Sequence, residues 1–355
     1  MRTAALIVIV LSLGAAVRVD AETVRFVPQK FYNTYSAAHP PALHVKPGDR
    51  VVTKTIDAAG VDWDGKPVGR GPNPQTGPFF IDGAEPGDTL AVHFLDIVPA
   101  RDFGVSSTFP HFGALTSTHT TATLQPPLQE RVWRYDIDTA AGLVRYHARS
   151  SDYAVDLPLE PMHGTVGVAP GGFQALTTIT CDVHGGNLDI PQVRTGSTLY
   201  LPVFVHGALL ALGDGHARQG HGEVSGVAVE TAMHTTLTVE VLKGAPTPTP
   251  RIETDQALMS IGCARPLEDA YRISQHDLVG WVGELTGLDS LDAYQLVAQA
   301  GTAPVGNVCD PNYTMLARIP KKYLRGAVGY DGVHERLRAT PPPAPVPPSA
   351  GTGER

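Results

Sequence analysis

Alternation of hydrophobic and polar residues, which is typical of half-buried β-strands, dominates the first two thirds of the chain. Several of these segments are rich in β-branched residues, and turn-forming residues such as Pro-Gly-Asp lie between them. We therefore expect most of this region to form an antiparallel β-barrel or β-sandwich. The predicted strands are residues 43–45, 51–56, 89–97, 199–205, 223–230 and 235–242.

Helical spacing replaces this alternation in the last third of the chain. Residues 266–285 and 289–300 place hydrophobic side chains three and four positions apart, and Asp289 or Ser290 can cap the second segment. Two such helices form a hairpin that has to bury its apolar face, and the β-sheet is the expected surface. One more strand is predicted at residues 313–319. The sequence thus predicts an α+β fold, mainly β, with a C-terminal helical hairpin.

The two ends of the chain follow neither pattern. Residues 1–21 have a charged start, a short apolar run and small residues before Ala21, as a secretory signal peptide does. The alternative is an uncleaved membrane anchor. Residues 331–355 are proline-rich and are predicted to form a disordered tail. Between them we expect a β-rich region with the candidate site at 22–250 and a helical region with a closing strand at 251–330.

Composition narrows the possible location and partners. The signal-like start predicts a periplasmic or secreted protein with no stable membrane insertion after cleavage. The net charge of −8 argues against a nucleic-acid partner, which needs a positive surface. Cys181, Cys263 and Cys309 form no C-x-x-C pair. One disulfide could form in an oxidising compartment, but the sequence does not choose the pair, and a free buried Cys181 is the alternative.

Two glycine-spaced loops concentrate the residues that could carry chemistry. Residues 182–189 contain one imidazole, two carboxylates and one amide, and residues 213–223 contain two imidazoles, two carboxylates and one amide. Glycine permits backbone conformations that let such side chains converge on one point. The chain lacks a nucleophile-elbow, a His-Glu-x-x-His or a phosphate-loop motif. A metal site is therefore the chemistry that these loops favour.

Metal-assisted hydrolysis has two requirements that these loops can meet. A divalent metal takes neutral imidazole and carboxylate ligands and leaves one position for water, whose pKa falls to about 7. A separate carboxylate transfers the proton to the leaving group. We predict that His184, Asp214 and His216 bind the metal and that Glu223 transfers the proton. The alternative is that each loop is only a turn whose carboxylates hydrogen-bond their own backbone.

Several further segments complete a pattern that runs through the chain. They are residues 76–92, 161–170, 184–189, 198–203 and 212–224, followed by the helical stretch after residue 262. Taken in order, these segments resemble the acetamidase/formamidase family over residues 51–321. The resemblance implies a mainly β protein with a smaller helical portion. It also implies hydrolysis of formamide or short aliphatic amides to ammonia and a carboxylate, with a divalent metal near the acidic and histidine loops.

The resemblance also brings in further site residues. Asp57, Asn187 and Gln219 lie at family-like positions. We expect Asp57 to be a further metal ligand, although it could simply end a strand before a turn, and we expect Asn187 and Gln219 to act in the catalytic site beside Glu223. Zinc is the expected metal and calcium the alternative. The family also suggests a homo-oligomer.

The predicted function is therefore metal-dependent hydrolysis of the C–N bond of a small aliphatic amide. The export signal and a divergent segment at residues 102–123 leave the substrate open. The alternatives are a non-catalytic periplasmic binding protein with a structural metal, and a hydrolase of a different amide or ester.

Overall fold

The computed structural model describes residues 21–115 and 128–340, which form a mainly β protein with three α-helices. The predicted signal peptide, apart from Ala21, and the predicted tail beyond residue 340 lie outside the described residues. The elements are β1 (Thr23–Phe26), β2 (Thr34–Ser36), β3 (Leu43–Val45), β4 (Arg50–Thr55), β5 (Thr76–Ile81), β6 (Thr89–Pro99), β7 (Phe103–Thr108), β8 (Arg131–Asp138), β9 (Leu143–His147), β10 (Ala154–Pro158), β11 (Met162–Gly167), β12 (Ala175–Thr177), β13 (Gly185–Asn187), β14 (Thr198–Pro202), β15 (Leu210–His216), β16 (Met233–Leu242), β17 (Arg251–Glu253), β18 (Ala257–Ala264), α1 (Leu267–Thr286), α2 (Ser290–Ala300), β19 (Tyr313–Pro320) and α3 (Val333–Arg338).

Two large sheets face each other across one hydrophobic core. The larger has the order β1-β4-β16-β6-β14-β17-β18-β19, and the smaller has the order β13-β11-β15-β5-β3. Phe79 and Leu212 of the smaller sheet meet Phe94 and Leu237 of the larger one in this core. In the described part of the chain both sheets end in edge strands, so of the two predicted alternatives the barrel is wrong, and the two facing sheets correspond to the sandwich. The pairs β1–β4 and β3–β5 are parallel, so the sheets are mixed rather than purely antiparallel.

A third sheet, with the order β10-β9-β8-β7, lies beside the candidate site described below. Its strand β7 forms a backbone bridge from Val105 to Glu230, and Glu230 in turn bridges to His216 at the end of β15. The backbone of Glu230 therefore joins this sheet to the smaller core sheet.

The strand predicted at residues 223–230 is wrong. Glu223 has a φ of +44° and Gly226 a φ of +87°, and such left-handed backbone cannot pair as an extended strand. The segment is a loop instead. By contrast, Asp214 and His216, which we placed in a loop, lie on β15. The core sheet therefore holds these two side chains on a rigid strand.

The helices predicted near residues 266–285 and 289–300 are confirmed as α1 and α2. They cover the outer face of the larger sheet, where Trp281 of α1 packs in one cluster with Tyr200. The first residues assigned to the tail form α3, in which Val333 and Leu337 are buried because they pack in the same cluster. None of the helices in the described residues is long and apolar enough to cross a membrane.

Candidate functional site

A buried cluster of carboxyl groups surrounds the imidazole of His216. The Nε2 atom of His216 lies 3.3 Å from an oxygen of Asp214 and 3.2 Å from an oxygen of Glu230. Potential ligand atoms of Asp189, His216 and Glu223 also lie within 4.8 Å of one another. We call this group the carboxylate cluster, and each member is less than 8% exposed. Its members are Asp189, Asp214, His216, Glu223, Glu230 and Asp310.

Gln219 fixes the orientation and tautomer of His216. The Nε2 amide of Gln219 donates to the carbonyl oxygens of Asp189 and Gly306, at 2.6 and 3.2 Å, so its Oε1 atom must face the imidazole. Oε1 lies 2.9 Å from Nδ1 of His216 and accepts its proton. The other ring nitrogen, Nε2, is therefore the one directed at the carboxylates, where a neutral imidazole could bind a metal.

Asn187 holds two carboxylates of the cluster in place. Its Nδ2 group donates to Asp189 and to Asp310, at 2.7 Å each. Its oxygen accepts from Asn73 at 3.0 Å and from the hydroxyl of Thr165. Because both ends of the amide are engaged, Asn187 orients the carboxylates and has no free hydrogen bond for a substrate.

Burial and mutual repulsion perturb the acids of the cluster. Burial, with the nearby carboxylates, raises the pKa of Asp189 and of Glu223 well above the usual range. Burial likewise raises the pKa of Glu230 to about 7 and that of Asp310 to about 6. Burial opposes ionisation of Asp214 too, but the His216 imidazole outweighs it and lowers the pKa of that carboxyl.

His216 is the imidazole that these acids share. Burial alone would lower its pKa, but Glu230 and Asp214 outweigh burial and hold the pKa of His216 well above the usual range. Five carboxyl groups face this one positive charge. The cluster therefore has an excess of negative charge that only protons or a bound cation can neutralise.

The backbone of the cluster adopts conformations that few residues favour. Asp189, Asp214 and Glu223 have φ angles of +48°, +55° and +44°, in the left-handed region. Such residues cost on the order of 1 kcal/mol or more each and collect at functional sites. Three of the five acids share this property, which favours a functional role for the cluster over a purely structural one.

The donor atoms of the cluster fit a divalent cation. Oδ1 of Asp189 and Oε2 of Glu230 are buried and accept no hydrogen bond. A methyl group at Gly164 would lie 2.7 Å from Asp214 Oδ2 and 2.8 Å from a ring carbon of His216, and closer still to Asp189 Oδ1. Glycine thus leaves room at the point where these side chains converge. Unpartnered carboxylate oxygens around such a space are the ligands that divalent cations take.

A cavity of about 510 Å³ reaches the cluster from the protein surface. Gln219 and Glu223 form the part of its wall that belongs to the site. Most of the other lining side chains, from the segments around residues 106–115, 135 and 224–229, are hydrophobic. Glu223 is therefore the acid of the cluster that a small molecule in this cavity would meet.

The structure brings most of the predicted site residues together. Asp214 and His216, predicted as ligands, lie in the cluster, as does Glu223, and Asn187 and Gln219 support it. These neighbours come from two segments that are separate in the sequence, and Asn187, Asp214 and His216 lie on strands rather than in loops.

Two predicted ligands lie outside the cluster. Asp57 pairs with the buried Arg101 at 2.7 Å and accepts two backbone N–H groups of its own turn, at 2.8 and 3.1 Å. These contacts agree with the alternative given for Asp57, in which the residue ends a strand before a turn. The His184 ring packs edge-on against Tyr35, with ring centroids 5.2 Å apart, and burial lowers its pKa to about 4. Neither residue joins any of the candidate ligand groups among the described residues.

Four residues of the candidate ligand groups, Asp189, Glu230, Cys309 and Asp310, receive no role from the sequence. Asp189 was part of a matching segment but was given no role, and Glu230 was the last residue of a strand that does not exist. Asp310 and Cys309 follow Asn307 in a loop before β19, and the Cys309 thiol lies 3.7 Å from Glu223. A polar run of Asn, Cys and Asp was the available signal. All three cysteines are free thiols in the structure.

Gln219→Leu is expected to weaken divalent cation binding by about 10- to 100-fold, the usual effect of removing a partner that orients a metal ligand. Leucine cannot accept the Nδ1 proton of His216, so the ring loses its fixed tautomer. Calorimetric titration with zinc and with calcium measures the change. Gln174→Leu, at an exposed position away from the cluster, is the matched control. Wild-type affinity in Gln219→Leu would show that Gln219 does not position the imidazole.

Comparison with known proteins gives one consistent family. The acetamidase/formamidase family model matches residues 171–272. An acetamidase from Mycolicibacterium smegmatis is 29% identical over 222 residues, and a formamidase from Methylophilus methylotrophus is 25% identical over 272 residues. These alignments cover 48% and 60% of this chain, and 53% and 64% of the two relatives. The chain thus spans less than two thirds of the length of the curated relatives that it matches.

Solved structures extend the similarity over most of the chain. The crystal structure of an acetamidase from Yersinia enterocolitica is 38% identical, with a TM-score of 0.78, and covers 86% of this chain and 94% of its own. An acetamidase structure from Bacillus halodurans is 30% identical, with a TM-score of 0.74, and covers 86% and 99%. The structural similarity therefore extends over most of this chain.

Proposed function

This chain belongs to the acetamidase/formamidase family, and on that premise we propose that it hydrolyses the C–N bond of an amide to ammonia and a carboxylate. The observation that carries the proposal is the carboxylate cluster, with Glu223 on the wall of a cavity that can hold a small molecule. A hydrolase needs such a combination, because the reacting water has to meet both an electrophile and a proton acceptor.

A divalent cation is the second part of the proposal. Asp189, Asp214, His216 and Glu230 would hold it. Ligand atoms of Asp214, His216 and Glu230 lie within 4.8 Å of one another, and Asp189 lies equally near His216 in a second group with Glu223. Two of the carboxylate oxygens, one on Asp189 and one on Glu230, have no other partner. When bound, the cation would supply Lewis acidity, which polarises a carbonyl group and acidifies water. Its charge would also lower the pKa values that burial raises in this cluster. One imidazole among five carboxylates fits calcium at least as well as the zinc that we expected from the sequence.

Glu223 is the proposed proton carrier. Its carboxylate takes a proton from the attacking water as the new C–O bond forms. It then gives this proton to the amide nitrogen, so that ammonia leaves and the carboxylate product keeps the water oxygen. Glu223 suits this role because it lines the cavity, whereas the other acids of the cluster do not.

Gln219 and Asn187 act as positioning residues. Gln219 orients His216 so that its Nε2 atom faces the carboxylates. Asn187 fixes the positions of Asp189 and Asp310, because its amide nitrogen donates a hydrogen bond to each. Both amides have hydrogen-bond partners at each end within the protein. Their role is therefore to prepare the site, although Gln219 also forms part of the cavity wall.

We further propose export of the protein, on the signal-like pattern of residues 1–21 alone.

The proposed function is tested by incubating the purified chain, supplied with zinc or calcium, with formamide, acetamide and propanamide. We expect equal amounts of ammonia and carboxylic acid, measured by an enzymatic ammonia assay and by chromatography. A preparation that binds cation but releases no ammonia from any of the three would contradict amide hydrolysis and favour the non-catalytic binding protein. Release of alcohol from the matching ethyl esters, without ammonia from amides, would point to an esterase.

A further inference from the structure

The cavity beside Glu223 is far larger than the amide group that the proposed reaction requires. Its volume of about 510 Å³ lies in the range of pockets that enclose drug-sized ligands. Formamide and acetamide contain only one and two carbon atoms. Either molecule would leave most of the cavity to water, and the hydrophobic wall would stay hydrated.

The wall of this cavity is chiefly apolar. Its side chains come from the strands of the small third sheet, from residues 112–115 and 128 between β7 and β8, and from the loop that follows Glu223. These groups line the same space, so a ligand in it would bury hydrophobic surface on more than one side. The main hydrophobic side chains of the wall are Phe112, Leu115, Leu128, Leu157, Val224 and Val229.

The serine and threonine hydroxyl groups of the wall are already engaged by the protein, and Tyr135 carries the remaining hydroxyl among the described lining residues. Ser106 and Ser225 both donate to the carbonyl oxygen of Val227, at 2.8 and 3.0 Å. Thr108 donates to the carbonyl oxygen of Gln129 at 2.8 Å. Because each hydroxyl has a single proton, none of the three has a hydrogen-bond donor left for a ligand.

The charged and amide groups of the wall are engaged as well. Among the described lining residues Arg218 is the one with a fixed positive charge, and its guanidinium donates to Glu160 at 2.9 Å and to a backbone carbonyl. The amide of Gln219 is held by His216 and by backbone carbonyls. One ring nitrogen of His221 lies 2.9 Å from a backbone carbonyl. A polar or anionic ligand would therefore find few partners away from Glu223.

We propose that the preferred substrate is an amide with a medium-length alkyl or aryl group, which occupies this cavity while the amide lies at Glu223. This inference rests on the proposed function and narrows its substrate class. The apolar group could belong to the acyl side or to the leaving amine. Their shared chemistry is an apolar chain attached to an amide, and the experiment below includes both arrangements.

The first test is a substrate ladder from acetamide through butanamide to hexanamide and phenylacetamide, with N-butylacetamide for the amine side. Burial of one methylene group changes an equilibrium constant by about fourfold, so kcat/KM is expected to rise by about that factor per carbon. An increase along the acyl series or for N-butylacetamide supports the inference and tells which side the cavity takes. No preference for either over acetamide would overturn it, while acetamide hydrolysis would keep the proposed function.

The second test places a large side chain in the cavity. Leu157→Trp, on strand β10, should reduce the ratio of kcat/KM for hexanamide to that for acetamide by about tenfold or more, as expected when a pocket loses room for its ligand. The ratio is insensitive to the fraction of folded enzyme. Val155→Trp introduces the same ring two residues earlier on the same strand, outside the lining, and should keep the wild-type ratio.

The outcomes of the two tests distinguish a failure of the proposed substrate class from a failure of the proposed amide hydrolysis. An unchanged ratio in Leu157→Trp would overturn the assignment of the apolar group to this cavity. A chain that hydrolyses no amide at all, acetamide included, with either cation supplied, would remove the proposed function and this inference with it.

Discussion

Glu223→Gln is expected to lower kcat for amide hydrolysis by about 100-fold or more, the usual effect of removing a general base. Glutamine has nearly the same shape but cannot take up the proton of the attacking water. Cation content should stay at the wild-type level, because Asp189, Asp214, His216 and Glu230 remain. Initial rates of ammonia release and metal analysis of the same preparation measure both quantities.

The matched control is Glu160→Gln, which neutralises a half-exposed carboxylate that pairs with Arg218 outside the cluster. This variant should keep cation content and stay within a few-fold of the wild-type rate. Wild-type turnover in Glu223→Gln would reject the proposed proton carrier. A parallel loss of cation from Glu223→Gln would instead make Glu223 a ligand, since its oxygen lies within 4.8 Å of donor atoms of Asp189 and His216.

Removal of divalent cations is expected to reduce ammonia release to the background rate and to lower the stability of the protein. Saturation at 100 times the dissociation constant stabilises the folded state by about 2.7 kcal/mol, and this contribution disappears with the cation. The five buried carboxyl groups must then take up protons or repel each other. Dialysis against a chelator, followed by activity and urea unfolding measurements, tests this. Activity should return with added zinc or calcium.

Variants at two histidines locate the cation. His216→Ala should abolish stoichiometric cation binding, because it removes the imidazole at the centre of the cluster. His184→Leu should retain it, since that ring packs against Tyr35 and is not among the candidate ligands. Loss of binding in both variants would instead support the ligand set predicted from the sequence, in which both histidines are ligands. Full activity after complete cation removal would refute the dependence on metal.

Much of the fold follows from local patterns. The alternating residues of β6 and β16 and the helical spacing of α1 and α2 predict these elements. In the structure the two strands are central in their sheet and are buried on both faces over most of their length, whereas the helix α1 buries one face. The choice between a barrel and a sandwich and the order of the strands could not be predicted, because closure and strand order depend on pairings between distant segments. The strand predicted at residues 223–230 is wrong for a local reason. The segment alternates hydrophobic and polar residues, but Glu223 and Gly226 adopt left-handed backbone conformations that interrupt a strand.

The candidate site was only partly accessible to sequence reasoning. Asp214, His216 and Glu223 share one glycine-rich segment, so their types and spacing were visible. Glu230 reaches His216 through a strand bridge, and Asp310 reaches Asn187 across 123 positions of the chain. His184 has the right chemistry for a ligand, yet its ring packs against Tyr35. The sequence around His184 does not predict this orientation of the ring. Composition suggests which groups could bind a cation, and tertiary packing decides which do.

Anomalous diffraction from crystals grown with zinc or calcium tests the central claim most directly. We expect a peak of anomalous density between Nε2 of His216 and the carboxylates of Asp189, Asp214 and Glu230. Data on both sides of the zinc absorption edge identify the element. A cation found only elsewhere, for example at His184 and Asp57, or side chains of the cluster that stay hydrogen-bonded to one another in the presence of either metal, would contradict it.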